Sequence, residues 1–164
     1  MITLITGGAR SGKTRYALDV PERSELRTYI ATAELLDDEM RERAARHRTE
    51  RGTAWRTIEE PLELASCVME LTGIVVIDCL TMWLSNWMLR DEAQVDGQIN
   101  LLCSAFEKTT CHVRAITNEV GSSVVPDNVL ARGFRDRAGL MNQRIAAVAD
   151  AVYLMVCGIA IRVK

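Results

Sequence analysis

Residues 7–14 read G-G-A-R-S-G-K-T and satisfy the pattern G-x-x-x-x-G-K-S/T in full. Glycines at that spacing let the backbone turn tightly and approach an anion. The N–H groups of Gly7, Gly8, Ala9, Arg10, Ser11 and Gly12 can then converge on phosphate oxygens at the start of a helix. Lys13 would reach the β and γ phosphates and Thr14 would offer its hydroxyl to Mg²⁺. Such an ion needs a carboxylate from a neighbouring strand, and Asp78 closes the apolar run G-I-V-V-I-D where that group should lie. A glycine-rich turn without a ligand, and Asp78 as a plain helix cap, are the bland alternatives. The pattern describes a nucleoside triphosphate site with Mg²⁺ and leaves the acceptor unnamed, because P-loops serve kinases, motors, switches and transferases alike.

A second chemical signal is His47, set in the run R-E-R-A-A-R-H-R-T-E-R over residues 41–51. On a helix, Arg43 and Arg51 lie four residues to either side of His47 and share its face, with Arg46 and Arg48 flanking it. One reading is a solvated charged helix with an incidental imidazole. The other is chemical: guanidinium groups disfavour imidazolium, keep the ring nucleophilic and bind phosphate, which suits a histidine that attacks an α-phosphate and briefly carries a nucleotidyl group.

The elements that must position these groups alternate between β-branched apolar runs and helical periodicity, the mark of parallel βαβ units. Strands are expected at residues 2–6, 27–31, 55–58, 73–78 and 113–117, with helices at about 13–19, 36–49, 61–71, 80–89 and 99–107. The polar stretch 90–98 reads as a flexible insert between two helices. Pro126 and Asp127 open a long helix to about Ala149, whose Arg132, Arg135, Arg137 and Arg144 are expected to be solvated or ion-paired, with one able to reach a neighbouring subunit's triphosphate. Residues 152–156 and 159–163 flank Gly158, and so short a turn demands an antiparallel pair at the sheet edge.

With 164 residues, the chain matches a single domain over residues 1–164. Charges balance to −2, so no overall field draws nucleic acid or an anionic membrane. No apolar run approaches the roughly 20 residues of a membrane span, and the opening residues enter a strand directly, so a cytoplasmic protein is expected. Five cysteines form no C-x-x-C pair and read as buried free thiols. His112 reads as structural.

Eight blocks, in order, resemble one family. They are TGGARSGKT, YIATAELLDDEM, the helix holding His47, WRTIEEP, IDCLTMWLSN, TNEVGSSVVP, FRDRAGLMNQRIAAVAD and GIAIRVK, spread over nearly the whole chain. The family is the bifunctional adenosylcobinamide kinase / adenosylcobinamide-phosphate guanylyltransferase of cobalamin biosynthesis. The resemblance implies a RecA-like P-loop NTPase fold of three layers, mostly parallel with an antiparallel C-terminal hairpin. It also implies phosphorylation of the aminopropanol hydroxyl of adenosylcobinamide from GTP or ATP, then GMP transfer from GTP through a guanylyl-histidine, with release of pyrophosphate. His47 falls on the guanylylated position. Nucleotide contacts fall on Gly7 to Thr14, on Ala31, Thr32 and Ala33, on Arg48, Thr49, Glu50 and Arg51, and on Glu59 and Asp78. Relatives of this kind are homotrimers with sites near subunit interfaces. Two departures stand out: the stretch 88–98 is short, and Arg46 replaces a second histidine, leaving one candidate imidazole.

Other residues carry open alternatives. Trp83 and Trp87, four apart, suit core or subunit packing better than corrinoid stacking. Asn118 and Glu119 follow a strand at the carboxyl edge, where α/β proteins place ligands. A P-loop switch that only hydrolyses triphosphate, or a kinase that stops at the phosphate, are the competing functions; neither would form a histidine adduct.

Overall fold

The computed structural model describes residues 1–20, 26–34, 42, 48–49, 52–122 and 124–164. The strands are β1 (Ile2–Gly7), β2 (Arg27–Ala31), β3 (Arg56–Glu59), β4 (Ile74–Asp78), β5 (His112–Ile116), β6 (Ala151–Val156) and β7 (Ile159–Arg162). They form one seven-stranded sheet in the order β3-β2-β4-β5-β1-β6-β7. All neighbours are parallel except β6 and β7, which pair antiparallel. The described helices are α1 (Lys13–Leu18), α2 (Leu64–Met69), α3 (Leu80–Asp91), α4 (Val95–Lys108) and α5 (Val129–Val148). Residues 42, 48 and 49 are helical; the rest of the expected 36–49 helix lies outside the described residues.

Strand side chains alternate between two faces, and each face has its own core. Leu4, Ile30, Val75 and Ile77 pack with α2, α3, α4 and α5 residues such as Leu64, Leu84, Leu102 and Met141. Ile5, Tyr29, Val76 and Ile116 pack on the opposite side with Ala17 of α1 and Met155. A sheet covered on both faces explains why β4 reads as an unbroken apolar run up to Asp78 and why all six residues of β1, Thr3 and Thr6 included, are buried. The result is the expected three-layer α/β architecture.

Three boundaries differ from the sequence expectation. The stretch 90–98 is no loose insert: α3 runs to Asp91, a single 3₁₀ turn covers Glu92–Gln94, and α4 starts at Val95. Its polarity is that of a helix corner. Asp91 caps the turn through Ala93 N, while Val95 and Ile99, one helical turn apart, are both buried in the core. The long helix starts at Val129 because the Asn128 side chain accepts from Ala131 N at 2.7 Å, leaving Pro126 and Asp127 ahead of the cap. Helix α2 starts at Leu64 rather than Pro61, since Glu60 Oε1 accepts from the Leu62 and Glu63 amides and holds that segment as a turn.

Trp83 and Trp87 are buried, and both indole N–H groups donate to Leu62 O, at 2.7 and 3.1 Å. They pin the α2 entry to α3. On α5, Arg137 pairs with Glu92, Arg144 with Asp96 and Arg135 with its neighbour Asp136, while Arg132 donates to Pro126 O and Asp127 O.

Candidate active site

The parallel register lines up the carboxyl ends of five strands. Glu59 pairs with Ala31, Ala31 with Asp78, Asp78 with Ile116, and Ile116 with Ile5. β1 continues to Gly7, so the phosphate-binding pattern leaves the sheet at the edge where α/β folds hold ligands.

Local backbone demands explain the glycines there. Gly7 has φ +145°, and a Cβ on it would lie 2.6 Å from Met155 O of the adjacent strand. Arg10 and Gly12 also take positive φ, which turns the loop back over the strand end. The β6–β7 turn supports this loop from the side, with the Gly158 amide donating to Ser11 O at 3.0 Å. Ser11 Oγ is buried and has no hydrogen-bond partner among the described residues.

Lys13 is buried, and its Nζ donates to Gly7 O at 3.0 Å and Gly8 O at 2.6 Å. Burial pushes its pKa down, while Cys79 and Asp78 nearby pull it back up. Thr14 Oγ1 donates to Asp78 Oδ2 at 2.8 Å, and Tyr29 OH donates to the same oxygen at 2.8 Å. Two candidate ion ligands named from separate parts of the sequence therefore touch. Both are oxygen donors, the chemistry Mg²⁺ prefers. Among the described residues no group of three or more His, Cys, Asp or Glu could hold a metal.

Of the segment following β2, Thr32 is fully buried. Its hydroxyl accepts from Cys79 N at 2.7 Å and donates to Cys79 O at 2.8 Å, while its amide donates to Asp78 O. Asn86 donates to Thr32 O at 2.7 Å and to Pro61 O at 3.0 Å. The Thr32 side chain thus sets the position of Asp78, and Ala33 is the neighbour left more open. Arg48 and Glu59, both exposed, form an ion pair at 2.8 Å. Thr49 is exposed and helical. His47, Glu50 and Arg51 lie outside the described residues.

Sequence reasoning passed over the partners of Glu119. The Glu119 amide donates to Gly7 O, and its Oε1 accepts from Thr6 Oγ1 at 2.7 Å and Asn142 Nδ2 at 3.4 Å. Asn118 donates to Thr81 Oγ1 through both backbone and side chain. Position alone flagged residues 118 and 119. Thr6, Asn142 and Tyr29 carry no local signal, since each is recruited from a distant segment.

Comparison with known proteins bears on this arrangement. A protein from Pyrococcus horikoshii OT3, the subject of a structural study, superimposes at a TM-score of 0.58 with 9% identity, over 99% of this chain and 85% of its own.

 The likeness is one of fold alone. An ATPase from the type III secretion system of pathogenic bacteria superimposes at a TM-score of 0.55 with 12% identity, over 93% of this chain and 50% of its own, again a likeness of fold alone. Sequence similarity is closer. The bifunctional adenosylcobalamin biosynthesis protein CobU of Salmonella typhimurium is 37% identical over 181 aligned residues, covering all of both chains. CobP of Pseudomonas aeruginosa, named in the same terms, is 40% identical over 169, covering all of this chain and 98% of its own. The family model described as cobinamide kinase / cobinamide phosphate guanyltransferase matches residues 3–163, and the chain belongs to that family.

Proposed function

We propose that this chain, as one domain, makes both transfers at a single triphosphate site. It phosphorylates the aminopropanol hydroxyl of adenosylcobinamide from GTP or ATP. It then moves GMP from GTP onto that phosphate through His47, giving adenosyl-GDP-cobinamide and pyrophosphate. Family membership supports the pair of reactions. The observation that carries the site assignment is the 2.8 Å contact between Thr14 and Asp78 beside a loop whose Ala9, Arg10, Ser11 and Gly12 amides donate to no group among the described residues.

Thr14 and Asp78 would hold Mg²⁺, which when bound neutralises charge on the β and γ oxygens. Lys13, held on two loop carbonyls, would bring a cation to the same phosphates. In the kinase step the acceptor oxygen bonds to the γ phosphorus and the nucleoside diphosphate leaves. In the second reaction an imidazole nitrogen of His47 bonds to the α phosphorus of GTP and pyrophosphate leaves. An oxygen of cobinamide phosphate then attacks the same phosphorus and the P–N bond breaks. The Arg48–Glu59 pair supports this role, because it ties the residue next to His47 to the carboxyl end of β3, on the same sheet edge as Asp78. Ala31, Thr32, Ala33, Thr49, Glu50 and Arg51 complete the proposed nucleotide contacts.

The reading includes a homotrimer acting on small molecules in the cytoplasm, without nucleic acid. Exposed Val124, Val125, Val129 and Leu130 ahead of and within α5 support a contact between copies, and the net charge of −2 supports the lack of a nucleic-acid partner. Among the described residues no helix is long and apolar enough to cross a membrane.

Incubation with α-labelled and γ-labelled GTP tests the proposal. The wild type should retain α label in an acid-labile bond and no γ label, and His47→Ala should lose the adduct while still phosphorylating adenosylcobinamide. Equal labelling of His47→Ala and wild type would remove His47 from the mechanism.

A further inference from the structure

Glu119 lies just past β5, and its placement is built from three other elements. Its amide shares Gly7 O with the Lys13 ammonium, so the first carbonyl of the phosphate loop joins the two residues. Its side chain is held at one oxygen only. Thr6 Oγ1 donates to Oε1 at 2.7 Å, and Asn142 Nδ2 approaches the same atom at 3.4 Å. Thr117 Oγ1 donates to Asn142 Oδ1 at 2.7 Å, which turns the amide nitrogen of Asn142 toward Glu119 and toward Asn118 O. Both side-chain partners are therefore donors to the carboxylate. Among the described residues Oε2 makes no hydrogen bond, and the residue is exposed.

A carboxylate fixed at one oxygen and open at the other, joined to the triphosphate loop, has the form of a proton acceptor. Two residues further on, Gly121 lines an open groove of about 570 Å³ together with Arg135, Asp136, Gly139, Leu140 and Gln143 of α5. In the kinase step one proton is left without an acceptor, that of the alcohol.

We propose that Glu119 takes the alcohol proton in the kinase step, a role that rests on the kinase reading given above. The alcohol oxygen forms its bond to the γ phosphorus, the bond from that phosphorus to the β–γ bridging oxygen breaks, and the nucleoside diphosphate departs. The alcohol proton passes to Glu119 Oε2. The second transfer needs no such group, because its acceptor is a phosphate monoester that is largely ionised near neutral pH.

That asymmetry supplies the test. Glu119→Gln keeps an oxygen for Thr6 and removes the basic site. Its two half-reactions should separate: kcat for phosphorylating adenosylcobinamide falls by about 10²-fold to 10⁴-fold. Guanylylation of preformed cobinamide phosphate and the Kd for GTP stay within about two-fold of wild type. Retention of the kinase kcat, or a parallel fall in both half-reactions, overturns the assignment, the latter because it marks a role in nucleotide placement or folding. A wild-type protein that phosphorylates no cobinamide overturns the kinase reading itself, and the proton acceptor with it.

Discussion

Thr14 Oγ1 donates to Asp78 Oδ2 at 2.8 Å across 64 residues of sequence, although β5 lies between β4, which ends at Asp78, and β1, which leads into the helix that carries Thr14. Helix α1 makes this possible by leaving the end of β1 and packing over β5 and β4. Asp78→Asn keeps an oxygen for Thr14 and Tyr29 but removes the charge. The expected outcome is a fall of about 10²-fold to 10³-fold in kcat for phosphoryl transfer with little change in Tm, checked by steady-state kinetics and thermal melting.

Gly7 and Gly8 should respond differently to alanine. At Gly7 the φ of +145° and the Met155 carbonyl 2.6 Å from a built Cβ leave no room, whereas a Cβ on Gly8 meets nothing within 4 Å. Gly7→Ala should lose about 1–3 kcal/mol of stability together with GTP affinity. Gly8→Ala should fold like wild type. Denaturant melts and GTP titrations of the pair read the contrast, and equal behaviour would mean the loop is not held against β6.

The Arg48–Glu59 pair is exposed on both sides, so its worth to the fold is small. Glu59→Gln should change unfolding free energy by less than about 1 kcal/mol. If the pair orients the segment next to His47, the same variant should slow accumulation of the α-labelled adduct. A melt that moves strongly while adduct formation does not would assign the pair to stability alone.

Asn86 is buried and joins Thr32 O to Pro61 O, bracing from α3 the two segments that follow β2 and β3. Asn86→Ala leaves both carbonyls without that donor and should cost about 1–3 kcal/mol per unmet group, read by denaturant unfolding. Because Thr32 in turn bonds Cys79 on both sides, GTP affinity should weaken as well.

Thiol chemistry gives an independent check on the core. Cys157 is exposed, Cys79 and Cys111 are buried, and Cys67 and Cys103 are half-buried with pKa values pushed up by burial. A thiol with a raised pKa holds less thiolate at neutral pH, so its labelling rate keeps rising further into the alkaline range than that of an ordinary thiol. Mass spectrometry after brief alkylation at neutral pH should find Cys157 modified first and Cys79 and Cys111 protected until the protein unfolds.

Much of the fold was legible because parallel strands covered on both faces leave a plain apolar signature, as in I-V-V-I-D of β4. The hairpin at Gly158 was equally plain, since so short a link permits only antiparallel pairing. The corner at residues 90–98 was misread because its polar surface outweighs the two inward residues, Val95 and Ile99, that anchor it. Helix starts shifted by three residues at Pro61 and Pro126, where the turn held by Glu60 and the cap supplied by Asn128 decided the boundary rather than proline.

From the linear order of residues alone came the glycine-rich P-loop pattern, the aspartate at the end of β4, the arginine-flanked His47 and the family they belong to, because each is written in contiguous residues whose chemistry depends on local spacing. The three-dimensional arrangement decided which of them meet: Thr14 with Asp78 and Tyr29, and Glu119 with Thr6, Gly7 and Asn142. Those contacts depend on strand order and on how helices cross the sheet, and both are set by packing between segments far apart in the chain, which no local pattern records.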